Sequence, residues 1–244
     1  YTLISAPAEK AKWRTGTPAA LEGLYEGLSV ADVNGDGKWD LAAANGTAER
    51  NGGVQVFLGD GRGGGLGESG PTRGGIFRDV KLVDLNGDGL TDLAAAGWGP
   101  GSGLRVWLQR EKGGGWKGLP LIAQGNYWGV WASDLNRDGR IDLAATTFQN
   151  GVRVYWGKGD GRFEKGKSPV RDGSFWRVRS ADMNGDSAPD LLATSIDGNG
   201  VRLWLNDGSG RWEADPRYLP KFGVFYGLVV RDIDRDGKLD VTVA

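Results

Sequence analysis

The stretch DVNGDGKWDLAAA, residues 32–44, gathers Asp32, Asn34, Asp36 and Asp40 around Gly37 and runs straight into small apolar residues. Each of those four side chains carries oxygen. They fall at the first, third, fifth and ninth positions of a nine-residue turn, and the backbone carbonyl of Lys38 adds another oxygen at the seventh. Hard oxygen ligands converging on one point are what Ca2+ takes, about six to eight at a time and in tolerant geometry; Mg2+ demands a stricter octahedron and keeps more water. The chain contains no His and no Cys, so zinc and copper lack their favoured ligands. Without an ion the same residues form solvated Asx-turns. Carboxylates packed this closely repel one another, however, and call for a counter-charge.

The pattern recurs at 84–92, 134–142, 182–190 and 232–240. The further candidate ligands are Asp84, Asn86, Asp88 and Asp92 with the carbonyl of Leu90, and Asp134, Asn136, Asp138 and Asp142 with that of Arg140. They continue with Asp182, Asn184, Asp186 and Asp190 with the carbonyl of Ala188, and Asp232, Asp234, Asp236 and Asp240 with that of Lys238. About five Ca2+ ions, one per turn, are expected. Glycine fills the sixth position in four turns (Gly37, Gly89, Gly139, Gly237), where it lets the backbone wrap an ion with positive φ. Ser187 stands there in the fourth turn, beside Pro189. A non-glycine residue with positive φ costs on the order of 1 kcal/mol, so the fourth site is expected to be the weakest.

The turns need strands to hold them. Their first residues lie 52, 50, 48 and 50 apart. Seven residues before each stands an aromatic: Tyr25, Phe77, Tyr127, Phe175 and Phe225. Alternating apolar positions lead into the turn, and alternating segments such as VQVFL from Val54 and VRVYW from Val152 follow it. Glycine-rich turns and Leu66, Trp116, Phe163 or Trp212 close the unit. Four short antiparallel strands in about 50 residues is the size of a propeller blade. The expected fold is therefore all-β: one domain over residues 1–244, a five-bladed β-propeller of four-stranded antiparallel blades. The last unit stops at Ala244 after two strands, and TLISAPAEKAKW from Thr2 aligns with VRVYWGKGDGRF from Val152. The N-terminal strands are thus expected to complete the C-terminal blade and close the ring; the rival is a fragment of a larger ring.

An EF-hand loop starts in the same way but needs Glu at its twelfth position and helices on both sides; here Ala43, Ala95, Ala145, Ala193 and Val243 stand there. The ninth-position Asp is expected to take the closing role. The DxNxDGxxD core and the preceding aromatic-x-Gly (Tyr25 with Gly27, Tyr127 with Gly129, Phe225 with Gly227) resemble the Ca2+-binding FG-GAP/VCBS-type repeats found in the propeller of integrin α-subunits. The Gly-Ala-Pro portion of those repeats is absent, and their propellers commonly have more blades than five. The resemblance implies Ca2+, adhesion or scaffolding, and membership of a group that includes enzymes whose chemistry lies elsewhere.

Net charge is −1, which directs the chain neither to nucleic acid nor to a membrane surface, and no apolar stretch is long enough to span a bilayer. The first residue is Tyr1 and the only methionine Met183, as in a processed or trimmed product whose targeting segment is gone. The turns hold sixteen of the 31 acidic residues, so five bound Ca2+ would carry the net charge from −1 to +9 and favour an anionic partner. Absence of His and Cys removes the commonest general base and the thiol nucleophile, and Glu26 and Asp79 are expected to be solvated charges. No catalytic residue is assigned. Among the aromatics, Trp128, Trp176 and Tyr226 share a repeat position with Glu26 and Arg78, and Trp98 sits in an unmatched loop. They either line the channel or bind a ligand, by stacking on sugar rings or anchoring a protein. The expected function is a non-catalytic adhesion or scaffold module outside the cytoplasm (extracellular, cell-surface or periplasmic), where near-millimolar Ca2+ fills such sites. Its partner would be a protein or glycan at a cell surface, with no nucleic acid and no membrane insertion. A carbohydrate-binding lectin and an accessory domain of a secreted enzyme are the alternatives; the oligomeric state is not legible.

Overall fold

A computed structural model describes residues 24–47, 52–62, 65–68, 70–215 and 219–244. All regular structure among them is β. The first sheet runs β1 (Tyr25–Ala31), β2 (Asp40–Asn45), β3 (Gly53–Gly59) and β4 (Gly65–Glu68) in antiparallel order. The second holds β5 (Ile76–Val83), β6 (Asp92–Trp98) and β7 (Gly103–Leu108), with the short β8 (Lys117–Gly118) and β9 (Ala123–Gln124) both pairing β7. The third is β10 (Tyr127–Ser133), β11 (Asp142–Thr147), β12 (Val152–Gly157) and β13 (Phe163–Lys165). The fourth is β14 (Phe175–Ala181), β15 (Asp190–Ser195), β16 (Val201–Asn206) and β17 (Trp212–Asp215), and the fifth pairs only β18 (Leu228–Arg231) with β19 (Asp240–Val243).

The acidic turns join the first two strands of every sheet. The strand after each turn reads as a run of small apolar residues because both of its faces are covered. Leu93 and Ala95 of β6 pack toward Ala42, Ala44, Val54 and Val56 of the preceding sheet. Ala94 and Ala96 of the same strand pack toward Val130, Leu143 and Ala145 of the next. A strand buried on both sides loses the apolar–polar alternation of a half-exposed one. Alanine also keeps consecutive sheets close together.

Each of the first strands in the first four sheets carries an irregularity near its start, as between Tyr25 and Gly27 or Phe77 and Asp79. Gly27 is needed there: a Cβ on it would stand 2.4 Å from the Cα of Asp79 on the neighbouring strand. These inner strands meet around Arg177. Its guanidinium donates to the carbonyls of Glu26 at 2.5 Å, Trp128 at 3.2 Å and Arg78 at 3.4 Å, and stands 3.9 Å from the Asp79 carboxylate. One side chain of β14 thereby ties β1, β5 and β10. Asp79 also accepts from the amides of Val80 and Val130 and pairs with Lys81 at 3.7 Å, while Glu26 pairs with Arg78.

Two expectations change. Asp79 is 3% exposed, and the Glu26 side chain is mostly buried, so neither is a solvated charge; a central axis crowded with cations gives both carboxylates partners. Among the described residues the five complete blades are replaced by four sheets of at least four strands and a fifth of two, and these sheets do not close on one another: Leu28 and Val30 of β1 and Val229 of β18 are more than half exposed. The N-terminal strands expected to fill that gap lie outside the described residues.

Arg177→Met should destabilise the chain by about 3 kcal/mol, because hydrogen bonds to a charged group contribute about 1.5–3 kcal/mol each and their loss leaves buried carbonyls unpaired. Urea unfolding checks this; an unchanged midpoint would remove Arg177 from the framework.

Candidate metal centre

Each acidic turn is folded by its own side chains. In the first, Asp32 accepts from the amides of Gly35 at 2.7 Å, Asp36 at 3.1 Å and Gly37 at 2.8 Å. Asn34 accepts from Asp36 at 3.0 Å and Asp36 from Lys38 at 2.9 Å. The set repeats closely around Asp84, Asp134, Asp182 and Asp232. The local Asx-turn bonds are therefore present, and they hold the first, third and fifth side chains over the same short stretch of backbone.

The ninth residue does something different. Asp142 accepts from Leu135 N with one carboxylate oxygen and from Gly157 N with the other, both at 2.8 Å. Leu135 opens the turn; Gly157 ends the third strand of the sheet. Asp40 bridges Val33 and Gly59, Asp92 bridges Leu85 and Gln109, and Asp190 bridges Met183 and Asn206 in the same way. Asp240 accepts from Ile233. The four bridging carboxylates are essentially without solvent exposure. Burial pushes Asp92 and Asp142 up to about 6, against the lowering effect of those amide bonds, and raises Asp190 as well. At the exposed fifth position the Lys38 and Ala188 amides lower Asp36 and Asp186.

The donor set fits a hard divalent cation. In the fifth turn Asp232, Asp234 and Asp240 each place a carboxylate oxygen within 4.8 Å of the others. Two oxygens on one Ca2+ are separated by at most about twice the 2.3–2.6 Å bond length, so one ion can reach all three. The other turns carry Asn at the third position, which offers a neutral oxygen. The seventh residues Lys38, Leu90, Arg140, Ala188 and Lys238 would add backbone carbonyls. A bound Ca2+ supplies charge neutralisation and cross-linking, and the protein's part is to hold the oxygens in place.

The backbone shows strain that the sixth position alone does not reveal. Ser187 has φ +71°, as expected, but Arg137 and Arg235 also lie in the left-handed region at +60° and +66°. They occupy the fourth position, filled by Gly35, Gly87 and Gly185 in the other turns. Turns three, four and five thus each carry one strained residue. The signal was available in the sequence as glycine in three copies out of five.

At the opposite end of the inner strands the structure gathers the unmatched aromatics. Trp98 lies 5.1 Å from Trp128, Trp128 4.6 Å from Trp176, and Trp176 5.2 Å from Tyr226, ring centre to ring centre. Phe148, which sequence reasoning passed over, stacks on Trp128 at 5.5 Å. Arg78 sits over Trp98 and Arg177 over Trp176. Trp128 Nε1, Arg78 Nε and Glu26 Oε2 are buried there with no hydrogen-bond partner among the described residues.

Comparison with known proteins gives a consistent fold. The family profile described as FG-GAP-like repeat matches residues 32–95, 84–145, 134–193 and 182–243. Each match runs from one acidic turn to the strand after the next, so four overlapping matches take in five turns. The crystal structure of the V. cholerae biofilm matrix protein Bap1 superposes with a TM-score of 0.51 at 17% identity, over 84% of this chain and 30% of that one. BBS1N, solved in complex with ARL6DN, gives 0.56 at 12% identity over 91% and 62%. A protein of Bifidobacterium bifidum s17 provisionally assigned as an exo-beta-1,3-galactanase gives 0.52 at 13% over 82% and 70%. The chain therefore spans less than two thirds of the first two. No curated protein matches it by sequence.

Arg137→Gly, Ser187→Gly and Arg235→Gly should each stabilise the chain by up to about 1 kcal/mol by relieving left-handed strain; a loss of stability in all three would contradict the backbone reading. The raised Asp92 and Asp142 set a pH dependence. Their native carboxyls hold protons more tightly than unfolded ones, so the charged form costs stability above about pH 6 and a bound cation offsets that cost. Ca2+ affinity measured by calorimetry should fall as pH drops from about 7 to about 5; a flat profile would contradict this.

Proposed function

The chain belongs to the FG-GAP-like repeat family, and from that premise we propose that it is a calcium-stabilised, non-catalytic β-propeller module that works outside the cytoplasm in adhesion or scaffolding. The observation that carries the reading is the fivefold recurrence of one oxygen-only turn with one hydrogen-bond pattern. A turn kept only for chain reversal would not need three carbonyl or carboxylate side chains over the same backbone, with a fourth beside them, in every copy. In this reading the five repeats are blades of one ring. The exposed apolar residues Leu28, Val30 and Val229 support closure, because two such faces gain from covering each other.

Absence of His and Cys, with sixteen of the 31 acidic residues committed to turns, favours a structural role over catalysis. Millimolar Ca2+ outside the cytoplasm suits modules of this affinity class. Bap1 is described as a biofilm matrix protein, and a place in such an assembly, with a protein or glycan partner at a cell surface, is in keeping with the family.

A second reading, a carbohydrate-binding lectin, is favoured by the contiguous rings of Trp98, Trp128, Trp176 and Tyr226 beside unpartnered polar atoms. Stacking of sugar faces on such rings and hydrogen bonds to those atoms would supply recognition. Glycan binding that disappears in Trp98→Ala and Trp128→Ala would establish it; binding that persists in both would place recognition elsewhere.

The calcium reading predicts about five bound Ca2+ per chain after gel filtration in millimolar Ca2+. With each site about tenfold above its Kd, chelation by EGTA removes about 7 kcal/mol, a fall of about 15–25 °C in melting temperature. A metal content below one ion per chain with an unmoved melting temperature would end it.

A further inference from the structure

We propose that a cavity of about 350 Å³ beside the third sheet binds an acidic sugar residue, a uronic acid at a polysaccharide terminus or branch. It is walled by Tyr127, Tyr155 and Phe163 and carries Arg153 and Lys165, with Gln124 at its rim. The site is a departure from the repeat. At the positions of Tyr127 and Tyr155 the neighbouring sheets have Phe77 with Trp107 and Phe175 with Trp204, apolar pairs packed edge to face at 5.7 and 5.6 Å. Here both rings bear hydroxyls, 2.6 Å apart and buried.

Only one hydroxyl of that pair can donate to the other. The second O–H has no acceptor among the described residues. Arg105, the counterpart of Arg153 in the preceding unit, donates to the carbonyl of Gly101; Arg153 and Lys165 make no hydrogen bond or ion pair with any described residue. Asn126 accepts from Gly99 N and Asn150 donates to the Phe148 carbonyl, each with one end of its amide. The cavity's charged groups are a guanidinium and an ammonium, both donors, and beside them stand a phenolic O–H and the neutral amides of Gln124, Asn126 and Asn150. No carboxylate lines it. Two unpaired cations beside aromatic walls select an occupant with negative charge, many acceptors and an apolar face. A carboxylate can take Arg153 in a forked pair, ring hydroxyls can accept from Tyr155 or Lys165, and the sugar's C–H face suits Phe163. The cavity lining shares no residue with the acidic turns or with the clustered rings, although Tyr127 and Thr147 adjoin Trp128 and Phe148 in the chain, and variants of Arg153 and Lys165 therefore test it separately from both of those readings.

The test is calorimetric titration of the full chain in saturating Ca2+ with oligo-galacturonate or oligo-glucuronate, their neutral galactose and glucose counterparts, and inorganic sulfate. Acidic oligosaccharide should bind, with Arg153→Gln and Lys165→Gln each weakening it about tenfold and Tyr155→Phe about threefold. Arg105→Gln should leave it unchanged, and melting temperatures should show that all variants fold. Equal affinity for neutral oligosaccharide would overturn the role of the cations. Sulfate binding as tightly as the sugar would reduce the cavity to an anion site and overturn the saccharide assignment. No binding of any probe, or binding indifferent to Arg153→Gln and Lys165→Gln, would remove the site.

Discussion

Everything in this fold hangs from a buried carboxylate that accepts two backbone amides. In each of the first four sheets the ninth residue of the acidic turn takes one N–H from the start of the turn and one from the end of the third strand. Turn, second strand and third strand become one piece. Glycine-rich connections, which lose much entropy on ordering, acquire a fixed point in every unit. Charge buried this way is costly unless it is hydrogen-bonded and compensated. The turn's remaining oxygens stand where a bound cation would provide that compensation.

From that fixed point the rest of the geometry follows. The turn sets where the inner strand ends and the small-residue strand begins, and alanines on both faces of that second strand let the next sheet lie close. The inner strands then converge on Arg177, whose bonds to carbonyls of three other sheets make the centre a place of contact rather than an open pore. The two ends of the inner strands differ in chemistry. One end carries the acidic turns; the other carries the rings of Trp98, Trp128, Trp176 and Tyr226 under two guanidinium groups.

Much of this was legible in the sequence because it is local. The turn residues, their spacing and the alternating strands around them are set within about a dozen residues, and repetition in five copies averages out ambiguity. The closing Asp was legible as a turn residue but not as a bridge to Gly59 or Gly157, since that bond depends on the third strand returning beside the turn. Asp79 and Arg177 were illegible for the same reason: their pairing joins strands from different sheets. Ser187 stood out against its counterparts, whereas Arg137 and Arg235 passed as ordinary variation because two copies share the substitution. The aromatics of the channel end were visible as repeat positions filled unlike one another, and only the fold shows that Phe148 joins them. The N-terminal strands expected to complete the last sheet lie outside the described residues.

The bridging carboxylate is open to one direct measurement: urea unfolding of Asp142→Asn beside the parent chain, each with Ca2+ and with EGTA. Loss of a buried, doubly bonded acceptor should lower stability by about 1–3 kcal/mol in both conditions, because the bonds to Leu135 and Gly157 exist with or without a metal. If Asp142→Asn matches the parent in EGTA and differs only when Ca2+ is present, the residue is a ligand and nothing more, and the fold does not hang from it.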